Sequence, residues 1–166
     1  MNTPIARWHL IAVALATTLV AACVSQPVPL QGQFTPITPR QAADHDSTGA
    51  MVRWGGRIVG VEPGDNRTCF EMLSTTLDYT GRPYWATDEV GGRFIACRTG
   101  FYDPALFEKN REVTFTGHIT GYENRQIGGY DYRFPHMAAE VVFLWPIVDR
   151  VNGVSYPAPW PWWGWW

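Results

Sequence analysis

Lysine is almost missing from this 166-residue chain: Lys109 stands alone beside twelve arginines. The 13 basic residues are scattered among 15 acidic ones, for a formal charge of −2. No basic cluster marks a nucleic-acid surface, so a nucleic-acid partner is not expected. Catalytic signatures are also missing. Ser25, Ser47, Ser74 and Ser155 have no G-x-S-x-G setting, and there is no phosphate loop, H-E-x-x-H or C-x-x-C. Serine hydrolase, NTPase and zinc protease chemistry therefore have no support. His118 lies among threonines on the polar side of a strand pattern and His136 follows a proline, positions that suit exposed or capping histidines better than a catalytic base. Asp44-His45-Asp46 lacks the fixed geometry of a metal site. The reading is non-enzymatic, with no catalytic residue, no metal and no cofactor beyond a covalent lipid.

That lipid is implied by the start of the chain. Arg7 precedes the apolar stretch Leu10 to Cys23, LIAVALATTLVAAC, which is too short to span a bilayer and ends in two alanines and a cysteine. This is the pattern of a secretory signal peptide. Val20-Ala21-Ala22-Cys23 further resembles the bacterial lipobox, in which the cysteine is lipidated and becomes residue one of the mature protein. Residues 1–22 are then removed, leaving twelve basic against 15 acidic residues and a formal charge of −3. Export puts Cys69 and Cys97 in an oxidising compartment, where a disulfide between them is the default. A reactive thiol, helped by Arg67 or Arg98, is the alternative.

Residues 24–50 hold four prolines and few large apolar residues, and read as a flexible tether with a reach of no more than about 80 Å. From Met51 the apolar period becomes two. Met51 to Val61 forms a strand with Val52, Trp54 and Ile58 on one side, bent or bulged at Gly55-Gly56. Thr68 to Ser74 forms its hairpin partner, and Arg93 to Arg98 a third strand that brings Cys97 beside Cys69. Tyr102 to Phe107 carries the start signal of a short helix, with Asp103 as cap and Pro104 in the first turn. Arg111 to Glu123 and Tyr130 to Trp145 complete the set, with Pro135 demanding an edge or a bulge. The expected fold is all-β: a five-stranded OB-like barrel over residues 51–148, with one short helix between strands three and four.

Several stretches in order, namely Val52 to Gly56 (VRWGG), Leu77-Asp78 with Gly81 to Pro83, Gly92 to Ala96 (GRFIA), Gly100 to Pro104 (GFYDP), Val113 to Gly121 (VTFTGHITG) and Leu144-Trp145, resemble the Slp family of outer-membrane lipoproteins. The resemblance runs from Cys23 to about Trp145. It implies a small β domain tethered to the inner leaflet of the outer membrane, since Val24 is not the aspartate associated with inner-membrane retention. A link to starvation and envelope stress comes with it, but no catalytic residues. The Cys69 and Cys97 pair is a departure from the family pattern.

An OB-type barrel also suits a sugar or peptide ligand, for which Trp54, Tyr84, Trp85, Tyr130, Tyr132 and Phe134 could supply stacking surfaces, although aromatics at alternating strand positions are more often core. Residues 149–166 form a separate tail. It carries Trp160, Trp162, Trp163, Trp165 and Trp166, five of the nine tryptophans, between prolines that prevent a helix. Tryptophan favours the membrane interface, so the tail is expected to contact the outer-membrane lipid as a second anchor, with envelope proteins or glycans as other partners.

Overall fold

The computed structural model describes residues 25–86 and 89–147. Five strands, β1 (Met51–Pro63), β2 (Arg67–Thr75), β3 (Val90–Thr99), β4 (Glu112–Ile127) and β5 (Tyr130–Leu144), close into a barrel in the order β1-β2-β3-β5-β4. All neighbours are antiparallel except β3 and β5, which run parallel over the short register Ile95↔His136 to Cys97↔Ala138. Such closure removes exposed strand edges, and the order is that of an OB-type barrel.

Period-two patterning produces the core directly. Val52, Trp54, Ile58, Phe70, Met72, Phe94, Val113, Phe115 and Ile119 alternate inward and are buried. At the centre Phe70 has its ring centroid 5.3 to 5.6 Å from those of Phe107, Phe115 and Tyr102. Gly55-Gly56 does not bulge the first strand. The bulge falls later, between Ile58 and Gly60. The glycines are needed for close approach, because a Cβ on Gly56 would lie 1.9 Å from the Leu73 carbonyl oxygen. Near Pro135 the irregularity belongs to the partner strand, where the register shifts between Ile119 and Gly121.

Two expectations are corrected. The segment from Tyr102 to Phe107 makes a single turn, not a helix. Asp103 accepts the Ala105 amide on its carboxylate at 2.9 Å and the Leu106 and Phe107 amides on its carbonyl. Propagation stops because Asn110, at φ 69°, must already give its amide to Ile58. Phe107 instead closes that end of the core.

The helix occurs where a flexible tether was expected. Val28–Leu30 makes a 3-10 turn, and α1 (Pro39–Asp44) carries a capping box between Thr38 and Gln41. Proline at the first helical position and the paired caps stabilise a segment whose composition alone suggested coil. Leu30 and Ala42 are fully buried, and the Trp54 indole donates to the Ile37 carbonyl at 2.7 Å. α1 lies against β3 and β5, beside the short parallel register. Gly92 (φ 102°) permits this approach: a Cβ there would be 2.9 Å from the Arg40 nitrogen and 3.1 Å from the Tyr132 hydroxyl. That hydroxyl accepts the Arg93 amide at 2.9 Å. A local segment thus serves as a tertiary plug.

Candidate functional site

Cys69 and Cys97 face each other across β2 and β3 and form a disulfide, with Cα atoms 4.0 Å apart. No thiol is left at either position. Arg98, a possible thiolate partner on sequence grounds, instead donates to the carbonyls of Ala139 and Glu140 on β5.

Both histidines have polar partners. His118 is half exposed, with Nδ1 3.1 Å from the Gly49 carbonyl and Nε2 3.3 Å from Glu140. His136 places Nε2 2.8 Å from Glu123, which also accepts from Arg125 at 2.6 Å. The Arg125 hydrogen bond, with His136 adding to it, holds the Glu123 carboxyl below its usual range. Asp44-His45-Asp46 does not converge on a cation. Asp46 accepts from the hydroxyl and amide of Thr48, which lowers its pKa, and no group of three metal-binding side chains occurs among the described residues.

The aromatic residues considered for stacking do not make one platform. Trp54 and Phe134 are in the interior, Tyr132 packs on Phe134, Trp85 lies beneath Arg57 at 4.2 Å, and only Tyr84 and Tyr130 are largely exposed.

Concavities among the described residues include two that join an aromatic side chain to arginine. One, of about 450 Å³, lies between the N-terminal segment and the ends of β1 and β2, and is lined by Phe34, Ile37, Trp54 and Leu77 with Arg53 at its edge. Arg53 donates to Gln26 Oε1 and to the Leu30 carbonyl, both at 2.8 Å, and stacks over Phe34. Burial lowers its pKa, and it has no ion-pair partner among the described residues.

The second, of about 360 Å³, opens where β4 begins and β5 ends, and is lined by Arg57, Arg82, Arg111, Glu112, Trp145 and Ile147. The loop that carries Arg82 is fixed by Asp78. Burial alone would raise the Asp78 pKa, but bonds from the Thr80 hydroxyl and the backbone of Arg82, Thr80 and Gly81 outweigh it and lower the pKa. Sequence patterning missed this cleft because its three arginines come from β1, a loop and the residue just before β4. Cys23, Trp160, Trp162, Trp163, Trp165 and Trp166 lie outside the described residues.

Similarity to known proteins is consistent along the chain. The family model described as "Outer membrane lipoprotein Slp family" matches residues 20–166. The chain is 30% identical over 158 residues to the outer membrane protein Slp of Escherichia coli (strain K12), covering 89% of this chain and 83% of that one. It is also 30% identical over 149 residues to the uncharacterized lipoprotein YeaY of the same organism, covering 86% and 75%. Among solved structures, a small single-stranded DNA-binding protein from Streptomyces coelicolor aligns with a TM-score of 0.39 and 13% identity, covering 58% of this chain and 94% of that one. With a lipobox-like start, a five-stranded barrel and a family match over nearly its whole length, the chain belongs to the Slp family of outer membrane lipoproteins.

Proposed function

We propose that this protein is a non-enzymatic envelope module, lipidated at Cys23 in the inner leaflet of the outer membrane, whose barrel faces the periplasm and serves a structural or interaction role under stress. The observation that carries the reading is the docking of the N-terminal segment. The Gln26 side chain is bonded to Arg53 and Leu30 is buried, so Cys23 stands only three positions before a residue docked on the barrel. Extended chain covers at most about 3.6 Å per residue, so the domain stays within roughly 11 Å of its lipid and not at the end of a long tether. Such a mount suits contact with the membrane or with other membrane-held proteins. The disulfide leaves no free thiol at Cys69 or Cys97 to act as a nucleophile.

Acylation contributes about 0.8 kcal/mol per buried methylene, so two or more chains give stable attachment. Cys23→Ser should then lose both palmitate incorporation and its place in the outer-membrane fraction, while the wild-type barrel resists added protease in intact cells and is cleaved after permeabilisation. Equal palmitate labelling of both forms would remove the lipoprotein basis. Cleavage in intact cells would reverse the orientation.

A second reading, a binding module for a sugar or peptide, is favoured by the Arg53 cavity, which joins aromatic walls to a cation without an ion-pair partner among the described residues. Envelope glycan and peptide fragments should perturb the Trp54 indole resonance in the wild type and not in Arg53→Gln. No perturbation by either class would dismiss it.

A further inference from the structure

Both ends of the described chain leave the barrel beside one loop, residues 78–82. At the N-terminal end, a Cβ built on Gly81 would lie 3.0 Å from Gln26 Nε2 and 3.4 Å from Leu30 Cδ1, so Gln26 sits on that loop. At the C-terminal end, Arg82 donates to the Pro146 carbonyl and Arg111 to the Trp145 carbonyl, each at 3.1 Å. The Trp145 indole donates to the Thr114 hydroxyl at 2.9 Å, and that hydroxyl donates to the Gly81 carbonyl at 2.7 Å. Cys23, three residues before Gln26, and the tryptophan-rich tail that follows Ile147 are therefore joined to the same end of the barrel.

The arginine cleft opens at this end. Of its three guanidinium groups, Arg82 is paired with Glu112 at 2.7 Å. Arg57 lies over Trp85, and Arg111 donates to the carbonyls of Leu106 and Trp145. Carbonyls accept hydrogen bonds without cancelling charge, so three arginines against one glutamate leave the cleft with two net positive charges. Ile147, 70% exposed, borders it, and Tyr79 and Val28 expose further apolar surface on the loop and the N-terminal turn. Planar guanidinium groups match phosphate oxygens in geometry, and apolar groups at their rim suit the headgroup boundary.

We propose that the cleft of Arg57, Arg82 and Arg111 binds the phosphodiester headgroup of an anionic phospholipid in the leaflet that holds the Cys23 acyl chains. The inference rests on the Cys23 anchor and adds an orientation: the end of the barrel that carries loop 78–82 faces the bilayer. A weak site suffices, because tethering raises the local headgroup concentration to the millimolar range or above.

The test uses the acylated full-length mature protein in vesicles of phosphatidylcholine, with or without phosphatidylglycerol, read by hydrogen exchange of backbone amides. Anionic lipid should slow exchange in residues 78–86, 109–113 and 143–147 but not at the Gly128 turn, at the other end of the β4 and β5 hairpin. Each arginine near an anionic surface contributes about a fivefold effect, so Arg57→Gln should reduce the protection about that much, and Arg57→Gln/Arg111→Gln should lose most of it. Arg125→Gln, which removes a charge outside the cleft, should retain it. Should the double variant prove unstable in urea, the exposed Arg57→Gln carries the test alone.

Identical exchange in both lipid compositions would overturn the proposal, as would full protection in Arg57→Gln. Inorganic phosphate reproducing the effect on phosphatidylcholine vesicles would overturn the lipid assignment. Failure of the anchor itself is read separately, as an intact mass without acyl chains. In that case short-chain phosphatidylglycerol is titrated into the unanchored protein, and binding at the same segments supports the cleft while its absence refutes it.

Discussion

At Gly56 the space available to a single hydrogen atom decides whether the barrel closes. A Cβ there would overlap the Leu73 carbonyl at 1.9 Å, whereas one on Gly60, in the same strand, meets nothing within 4 Å. Overpacking against backbone has no flexible side chain to absorb it, so Gly56→Ala should cost about 3 kcal/mol or more and Gly60→Ala less than about 1 kcal/mol. Urea midpoints of the two variants compare these directly, and equal midpoints would contradict the close-approach account. Glu123 offers a second test at this scale. Its folded pKa is held below the ordinary 4.5, first by the Arg125 hydrogen bond. Its stabilisation is therefore fully present above the unfolded value and lost as pH falls below about 4.5 through the folded one. The carboxylate is partly exposed, so solvent screening keeps the effect under about 1 kcal/mol. Glu123→Gln should flatten the stability profile between pH 5 and 3, by a small amount, relative to wild type.

Among the elements, the β2 and β3 pair is the one held covalently. Cys69 and Cys97 are 28 residues apart, and in the chain-entropy model a loop of this size stabilises by about 3 to 4 kcal/mol. Cys69→Ala/Cys97→Ala should lower the urea midpoint accordingly, and non-reducing mass spectrometry of the exported protein should find no alkylatable thiol. Two free thiols would instead return the pair to reactive chemistry. The other junction, between β3 and β5, relies on side chains, with α1 beside a three-residue parallel register. The turn at Asp103 shows the opposite outcome: good capping residues yield no helix where the chain has too few residues before it must rejoin Ile58.

For the whole molecule, both ends of the described chain lie beside loop 78–82, so the lipid proposed on Cys23 and the tail beyond Ile147 would start from a common side of the barrel. A segment so rich in tryptophan favours an interface over bulk water. The Cys23→Ser protein, exported behind a cleavable signal, should bind vesicles less when residues after Gly153 are removed, and lipid should blue-shift the emission of the longer form. Unchanged binding, or no shift, would dismiss the interfacial role of Trp160, Trp162, Trp163, Trp165 and Trp166.

Strand order along the chain and the faces of Val52, Phe70 and Phe115 were legible in the sequence because each depends on near neighbours: a period of two and the turns between the strands. The docking of residues 26–44 was not, since nothing local in a proline-rich stretch reveals that Leu30 and Ala42 will find a barrel to cover. Nor was the cleft, whose Arg57, Arg82 and Arg111 are brought together only when β1 pairs with β4 and loop 78–82 folds across their ends. Periodicity determines which way a side chain points from its own strand. Closure of the barrel decides which distant side chains then become neighbours.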